Sequence, residues 1–310
     1  MKIHYGVDEL RLDNPFITIG SFDGVHRGHL HILNALRSVA SAQGALATVI
    51  TFDPHPRHVL NPDAPSIKLL SSLAEKRELL AKAGVDHLII LPFTKELANL
   101  HYADFVKEFL IGKIGIKGMI VGYDHQFGRD REGDFEKLKL LSGELGFYLE
   151  QGTPYSEKEV NVSSTKIRNA LLAGDVVTAR NYLGYNYSCR GRVIKGFSNG
   201  RSIGFPTANI ELDDCNKLLP GRGAYAIVAE CDGILYKGML DIGVRPTFHK
   251  DGELSIEANL FGLSGDIYGK ELKLEFIAKM RDERKFETTA ELITQLQKDK
   301  EYAEELLLDY

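Results

Sequence analysis

The sequence predicts an α/β chain of two domains, a parallel sheet covered by helices followed by a small antiparallel β-barrel, and three observations predict it. Up to about Tyr185, short apolar runs alternate with helix-length segments, the pattern of a parallel sheet covered on both faces. From about Tyr187 to Met280 the period falls to two, as in Leu272, Leu274 and Phe276 set against Lys273 and Glu275; glycine-bounded runs of this kind build antiparallel sheets or small barrels. The tail from Thr288 returns to helical spacing, with Leu292, Ile293 and Leu296 as a buried stripe and Asp299 to Leu308 as a second helical segment. The change of period places the boundary near residues 184 to 187, giving domains of residues 1–185 and 186–310. A chain of 310 residues is long enough for two cores.

In the first half, Phe16 to Ile19, Leu46 to Thr51, Leu88 to Leu91 and Met119 to Val121 read as strands. Leu30, Leu33 and Leu36 set a helix after the first of them. Ser72-x-x-Glu75 is a capping box for the second helix, and Leu138, Leu141 and Leu145 give a later one its core stripe. Ligands of such sheets bind at the carboxyl ends of the strands.

Composition narrows the class. With 44% hydrophobic and 26% charged residues the chain is ordinary globular material, which excludes disordered and collagen-like classes. A net charge of −5 without a Lys/Arg run gives a nucleic-acid partner no electrostatic support. No apolar run approaches the ~20 residues of a membrane span, and Met1 to Tyr5 lead into polar sequence, so the expectation is a cytoplasmic protein without a membrane partner. Cys189, Cys215 and Cys231 are widely spaced and form no Cys-x-x-Cys, which predicts small buried side chains, not disulfide or zinc partners. No obligate protein partner is inferred.

Chemistry concentrates in the stretch Gly20-Ser-Phe22-Asp23-Gly24-Val-His26-Arg-Gly28-His29, where a strand gives way to a helix. Gly20 and Gly24 allow close backbone approach, and the helix N-terminus favours an anion. His26 and His29, three apart, share one side of the first turn and can donate to phosphate oxygens. Histidines at this spacing are also compatible with solvated or structurally satisfied rings. Val162-Ser163-Ser164-Thr165-Lys-Ile-Arg168 reads as a helix start in which either serine can cap, with Ser164, Thr165 and Arg168 on one face. Taken alone, that is equally a capped helix with a solvated arginine. Asp53 and His55 lie in Asp53-Pro54-His55-Pro56, a stiff loop after the second strand whose prolines forbid immediate helix continuation.

In the second half, Gly196-Phe-Ser-Asn-Gly200-Arg201-Ser-Ile-Gly204-Phe-Pro206-Thr207-Ala-Asn209 cannot be a regular helix, and Pro206 keeps its opening out of a central ladder. Thr207 and Asn209 then share a strand face, and a hydroxyl beside an amide oxygen suits nucleotide-bound Mg²⁺; the same residue types also make plain turns. Glu257 alternates with Ile256 and Ala258, which by itself describes a glutamate on a solvated strand face.

These motifs carry a resemblance. The Gly20 to His29 stretch is similar to the Gly-x-Phe-Asp-Gly-x-His-x-Gly-His signature of the nucleotidylyltransferase superfamily, in wording nearest the bacterial bifunctional riboflavin kinase/FMN adenylyltransferases. Ser163 to Arg168 resembles that family's Ser-Ser-Thr-x-x-Arg element, Asp53 to Pro56 its Asp-Pro-His-Pro element, and Gly122 to Asp134 its flavin and nucleotide loop, which implies ligand-facing Asp124 and Arg131. Gly200 to Asn209 resembles the flavokinase Gly-Arg-x-x-Gly-Phe-Pro-Thr-Ala-Asn signature.

The resemblance implies a Rossmann-like nucleotidylyltransferase domain followed by an antiparallel β-barrel flavokinase domain with C-terminal helices. It further implies riboflavin, FMN and ATP as substrates, and Mg²⁺ as cofactor. His26 and His29 would bind the ATP phosphates, Ser163, Ser164, Thr165 and Arg168 would grip the polyphosphate, and Gly196, Gly200, Arg201, Gly204 and Pro206 would cover ATP in the second site. Thr207 and Asn209 would hold the metal, and Glu257 would be the general base. Rival readings are an adenylyltransferase for another phosphorylated acceptor and a flavin-binding regulator.

Overall fold

The computed structural model describes residues 1–8, 10–60, 66–123, 126–129, 132–157, 160–195, 203–244 and 254–310. By packing, the chain divides into Met1–Ser164 and Thr165–Tyr310.

The first unit is built on six parallel strands, β1 (Lys2–Tyr5), β2 (Pro15–Ile19), β3 (Leu46–Phe52), β4 (His87–Leu91), β5 (Gly118–Val121) and β6 (Tyr148–Gln151), in the order β1-β4-β3-β2-β5-β6. The four strands read from sequence are present, and β1 and β6 extend the sheet at its edges. Helices α1 (Arg27–Ala42) and α2 (Leu73–Lys82) cover one face, where Leu33, Leu36, Ala40 and Leu80 pack on Phe16, Val49, Leu88 and Ile120. A π-helical segment α3 (Phe105–Ile114) and α4 (Phe135–Leu145) cover the other, packing Val106, Leu110 and Leu138 on Ile17, Ile50 and Met119. From β2 the chain winds outward to β3 and β4, then returns to place β5 on the opposite side of β2. The order reverses at β2, and the crevice at such a reversal is where open α/β sheets bind ligands.

The second unit opens with α5 (Ser164–Leu172), whose first residue precedes the division, and α6 (Val176–Leu183). It continues as a closed antiparallel barrel of β9 (Ser188–Ile194), β10 (Ala208–Leu212), β11 (Gly223–Cys231), β12 (Ile234–Val244), β13 (Leu254–Leu260) and β14 (Glu271–Arg281), in the order β10-β13-β12-β11-β14-β9. A two-stranded ribbon, β7 (Ser156–Glu157) and β8 (Val160–Asn161), lies in the first unit. Helix α7 (Thr289–Leu306) ends the chain and seats Ala303, with Leu307 beyond it, on Ala226, Val228, Met239 and Ile277.

The architecture is the expected one, with three local corrections. The C-terminal tail is one continuous helix, not two segments, and its fully buried positions are Asp299 and Ala303, while Ile293 is 37% exposed. Leu292 and Leu296 are partly buried and line a cavity, and Leu296 also packs against the core cluster under the helix. Cys189 and Cys231 are buried as expected, but Cys215 is exposed, because it lies in the turn after β10 and not in a strand. No helix among the described residues is long and apolar enough to cross a membrane.

Candidate functional site

The first site forms where β2, buried along its whole length, ends at Ile19 and the chain turns into α1. The turn is tight. Phe22 and Val25 hold φ of 46° and 36°, and Gly24 holds 79°; a β-branched residue at positive φ stores strain of order 1–3 kcal/mol. Asp23 braces it. Its buried carboxylate accepts the Leu70 N–H at 2.9 and 3.1 Å and the Ser71 N–H at 3.1 Å, while Ser71 Oγ accepts the Gly24 N–H at 3.0 Å. The aspartate of the motif thus fastens the turn to the segment leading into α2. That segment carries the expected capping box, with the Glu75 N–H on Ser72 Oγ at 3.2 Å and the Ser72 N–H on Glu75 Oε2 at 2.9 Å.

His26 is itself the N-cap of α1, its Nδ1 accepting the His29 N–H at 3.3 Å. With Nδ1 an acceptor, the neutral ring carries its proton on Nε2 and presents it as a donor. The His26 and His29 rings stack with centroids 3.7 Å apart and 15° between planes, and Phe22 tilts against His29 at 5.1 Å. Burial, the neighbouring His26 and the Lys76 charge hold the His29 imidazole well below its usual pKa, so it is neutral at pH 7. Its Nδ1 is buried without a hydrogen-bond partner among the described residues. Gly28 leaves room for the His26 ring: a Cβ there would lie 3.2 Å from it, close enough that the ring would have to shift by a few tenths of an ångström.

Ser164 Oγ donates to the Asp23 carbonyl at 3.1 Å, which joins the Ser-Ser-Thr element to the histidine turn. Ser163 directly precedes α5, and Thr165 and Arg168 lie further along it, within the second unit. Asp53 follows β3 and is exposed, while His55 is buried with Nδ1 accepting the Arg57 N–H at 3.2 Å. Pro56 does not forbid helix as the sequence suggests. It opens a short helix, Pro56–Leu60, because proline is tolerated at a first helical position. Asp124 and Arg131 lie outside the described residues. Sequence reasoning passed over Lys76, a buried lysine on α2 whose ammonium donates to Thr51 Oγ1 at 3.5 Å; the signal available was a lysine directly after the capping glutamate, on a face that should be inward.

The second site lies on the barrel. Asn209 of β10, Glu257 of β13 and Asp241 of β12 are directly opposite one another across adjacent strands and therefore share a face. The same face carries Met239, which packs on α7. The glutamate is thus on a covered face and not a solvated one. Thr207, just before β10, donates its hydroxyl to Glu257 Oε2 at 3.2 Å, and Asn259 Nδ2 donates to the Pro206 carbonyl at 2.7 Å, pinning this segment to β13. Pro206 stays out of the ladder, as expected, and Gly204 turns at φ 82°.

Thr207, Asp241, Glu257 and Asn259 line a cavity of about 320 Å³ together with Arg281, Glu283, Arg284 and Asp299, and its apolar wall includes Phe205, Met239, Leu240, Phe286, Leu292 and Leu296. That volume is within the range of small-molecule pockets, ~300–1,000 Å³. Arg281 binds Asp299 through Nε at 2.9 Å and Nη2 at 2.8 Å, which ties α7 to β14 at the cavity wall. Burial and the carboxylates of Glu283, Glu257 and Asp299 push Asp241 up to about 6 against the pull of Arg281. Asp241 is the second residue that the sequence did not disclose. Gly196, Gly200 and Arg201 lie outside the described residues.

A metal at Thr207 would meet oxygen donors alone, a hydroxyl with the Asn209 amide and the Glu257 carboxylate on the same face, a set that suits a hard, partly hydrated Mg²⁺. Among the described residues no group of three or more His, Cys, Asp or Glu forms a closed metal cage.

Two family models match the chain in succession. A family model described as FAD synthetase matches residues 9–166, and one described as riboflavin kinase matches residues 183–307. Bifunctional riboflavin kinase/FMN adenylyltransferases of Bacillus subtilis and Pseudomonas fluorescens are 35% and 36% identical, over 93% and 96% of this chain and 90% and 96% of theirs. The Haemophilus influenzae protein of the same description is 37% identical over 93% of this chain and 92% of its own length. A crystal structure described as a macrolide-efflux protein from Streptococcus pneumoniae superposes with a TM-score of 0.90 at 29% identity, covering 98% of this chain and 99% of that one. On two family models in sequence order and relatives matched over nearly their whole length, this chain belongs to the bifunctional riboflavin kinase/FMN adenylyltransferase family.

Proposed function

We propose that the barrel phosphorylates riboflavin to FMN and that the α/β unit adenylylates FMN to FAD, each with ATP, in a cytoplasmic enzyme. The observation that carries this reading is the Thr207 to Glu257 hydrogen bond in the lining of a cavity with a large apolar wall. An oriented carboxylate beside apolar surface supports the reading of Glu257 as the base for the hydroxyl of a flat aromatic substrate.

In the barrel, Glu257 accepts the proton of the riboflavin 5′-hydroxyl as that oxygen attacks the γ-phosphorus, and ADP leaves. Thr207 and Asn209 are the residues that would hold Mg²⁺, which when bound neutralises phosphate charge. Phe205, Met239 and Phe286 supply apolar surface for the flavin ring.

In the α/β unit, an FMN phosphate oxygen attacks the α-phosphorus of ATP in line and pyrophosphate leaves. A phosphate is already a nucleophile, so no side-chain base is needed, and positioning with charge neutralisation supplies the acceleration. His26 donates from Nε2 and His29 from its neutral ring to the α- and β-phosphates. Arg168, with Ser163, Ser164 and Thr165, stabilises the departing pyrophosphate, and the Asp23 clamp keeps the two imidazoles in register with the turn.

Incubation with riboflavin, ATP and Mg²⁺, following FMN and FAD by chromatography, tests both halves. His29→Ala should halt accumulation at FMN, and Glu257→Ala should abolish FMN formation while supplied FMN is still adenylylated. Equal loss of both steps in either variant contradicts independent sites, and flavin binding without ATP consumption by the unmodified protein favours a regulator.

A further inference from the structure

Lys76 occupies the fourth position of α2 and is 5% exposed. Lysines are almost never buried this deeply unless paired. Among the described residues the polar atom within reach of its ammonium is Thr51 Oγ1, at a long 3.5 Å. Thr51, buried in β3, donates in turn to the Ser21 carbonyl at 3.2 Å, so the lysine reaches to the underside of the histidine turn.

Asp23 and Asp53 act on Lys76 through space. Asp23, however, spends its carboxylate on the Leu70 and Ser71 N–H groups, and Asp53 is exposed. An ammonium has three donors, and the described residues fill one of them poorly. Nearby, His29 Nδ1 is buried and unpartnered, within range of the Lys76 charge. Each buried polar group without a partner costs free energy that a bound acceptor would recover. Both lie at the carboxyl end of the parallel sheet beside the N-terminus of α1, where anions are favoured.

Resting on the adenylyltransferase reading above, we propose that Lys76 is a direct ligand of a nucleotide phosphate in the first site, closing on it together with His29. It acts as a point charge and gives up no proton. The capping box fixes the first turn of α2, so the ammonium is already in place as negative charge builds during attack on the α-phosphorus.

Full-length K76M and K76R, assayed for FAD formation from FMN and ATP, test this, with FMN formation from riboflavin in the same preparation reporting on folding. K76M should lower adenylylation kcat/KM by about 10²-fold, with riboflavin phosphorylation unchanged and Tm not reduced, since an ill-paired buried charge is removed. K76R should recover part of the loss. A rise in KM for ATP alone assigns the contact to the triphosphate, and a rise for FMN alone assigns it to the acceptor phosphate. Undiminished adenylylation by K76M, with H29A inactive, overturns the role of Lys76 and leaves the adenylyltransferase reading standing. A lowered Tm with proportional loss of both activities in K76M and K76R overturns it in favour of structural support. Absence of FAD formation by the unmodified protein overturns the underlying reading instead.

Discussion

The Thr207 hydroxyl donates to Glu257 Oε2 at 3.2 Å, joining the residue before β10 to the middle of β13. The bond fixes which carboxylate oxygen faces the cavity. Thr207→Val keeps the shape and removes the donor, so riboflavin phosphorylation should fall by about tenfold to a hundredfold, the worth of a hydrogen bond to a charged group. Thr207→Ser should retain most of the rate. FMN adenylylation, measured in parallel, should not change in either.

Gly28 lies in the first turn of α1 with the His26 ring 3.2 Å from where a Cβ would sit. Gly28→Ala should therefore separate stability from activity. Alanine in a helix gains about 1 kcal/mol over glycine, whereas the imidazole must shift by a few tenths of an ångström. Adenylylation should drop by about tenfold while Tm holds or rises, the cost of a small misplacement of a positioning group.

Asp241 carries a folded-state pKa of about 6, raised from 3.8 chiefly by burial. Between those two values the folded chain binds a proton that the unfolded chain has released, so stability must fall as pH rises through that window. Asp241→Asn removes the ionising group. Thermal melts from pH 4 to pH 8 should show the variant gaining Tm over the parent as pH rises from about 4 to about 6 and keeping that gain above it, with little difference at the acid end.

Asp299 is 4% exposed and receives Arg281 in a bidentate pair, with Gln295 Nε2 donating to Oδ1 at 2.8 Å. Asp299→Ala removes the acceptor of Arg281 Nε and Nη2 and leaves Nη1 on the Asp282 carbonyl. Loss of one partner of a fully buried pair costs about 3–5 kcal/mol; with Arg281 partly exposed the loss should be smaller, and denaturant unfolding of the barrel should register it. Riboflavin phosphorylation should weaken with it, because both residues line the cavity, and replacing both partners by apolar residues should cost less than replacing Asp299 alone.

Much of this fold is legible in the sequence. Four central strands of the first sheet were readable because they are apolar and buried on both faces, whereas β1 and β6 escaped notice because each is a four-residue edge strand with partly exposed residues. The Ser72/Glu75 capping box is local geometry, set by residues three apart, whereas the sequence placed His26 in the first turn of α1 and the structure makes it the N-cap. Asp23 was legible as part of the motif but not as a clamp, since its partners Leu70 and Ser71 lie 47 and 48 positions away.

The sequence by itself determined the order of the parallel and antiparallel units and the positions of the two candidate motifs, because period, capping and turn chemistry act over a few neighbouring residues. Only the tertiary structure decided that the face of Glu257 is covered, that Asp241 stands opposite it, and that Lys76 lies buried beneath the histidine turn. Those facts depend on which strands pair, on α7 lying across the barrel and on α2 packing on the sheet. Burial and electrostatics are properties of what surrounds a side chain, and a linear pattern does not specify its surroundings.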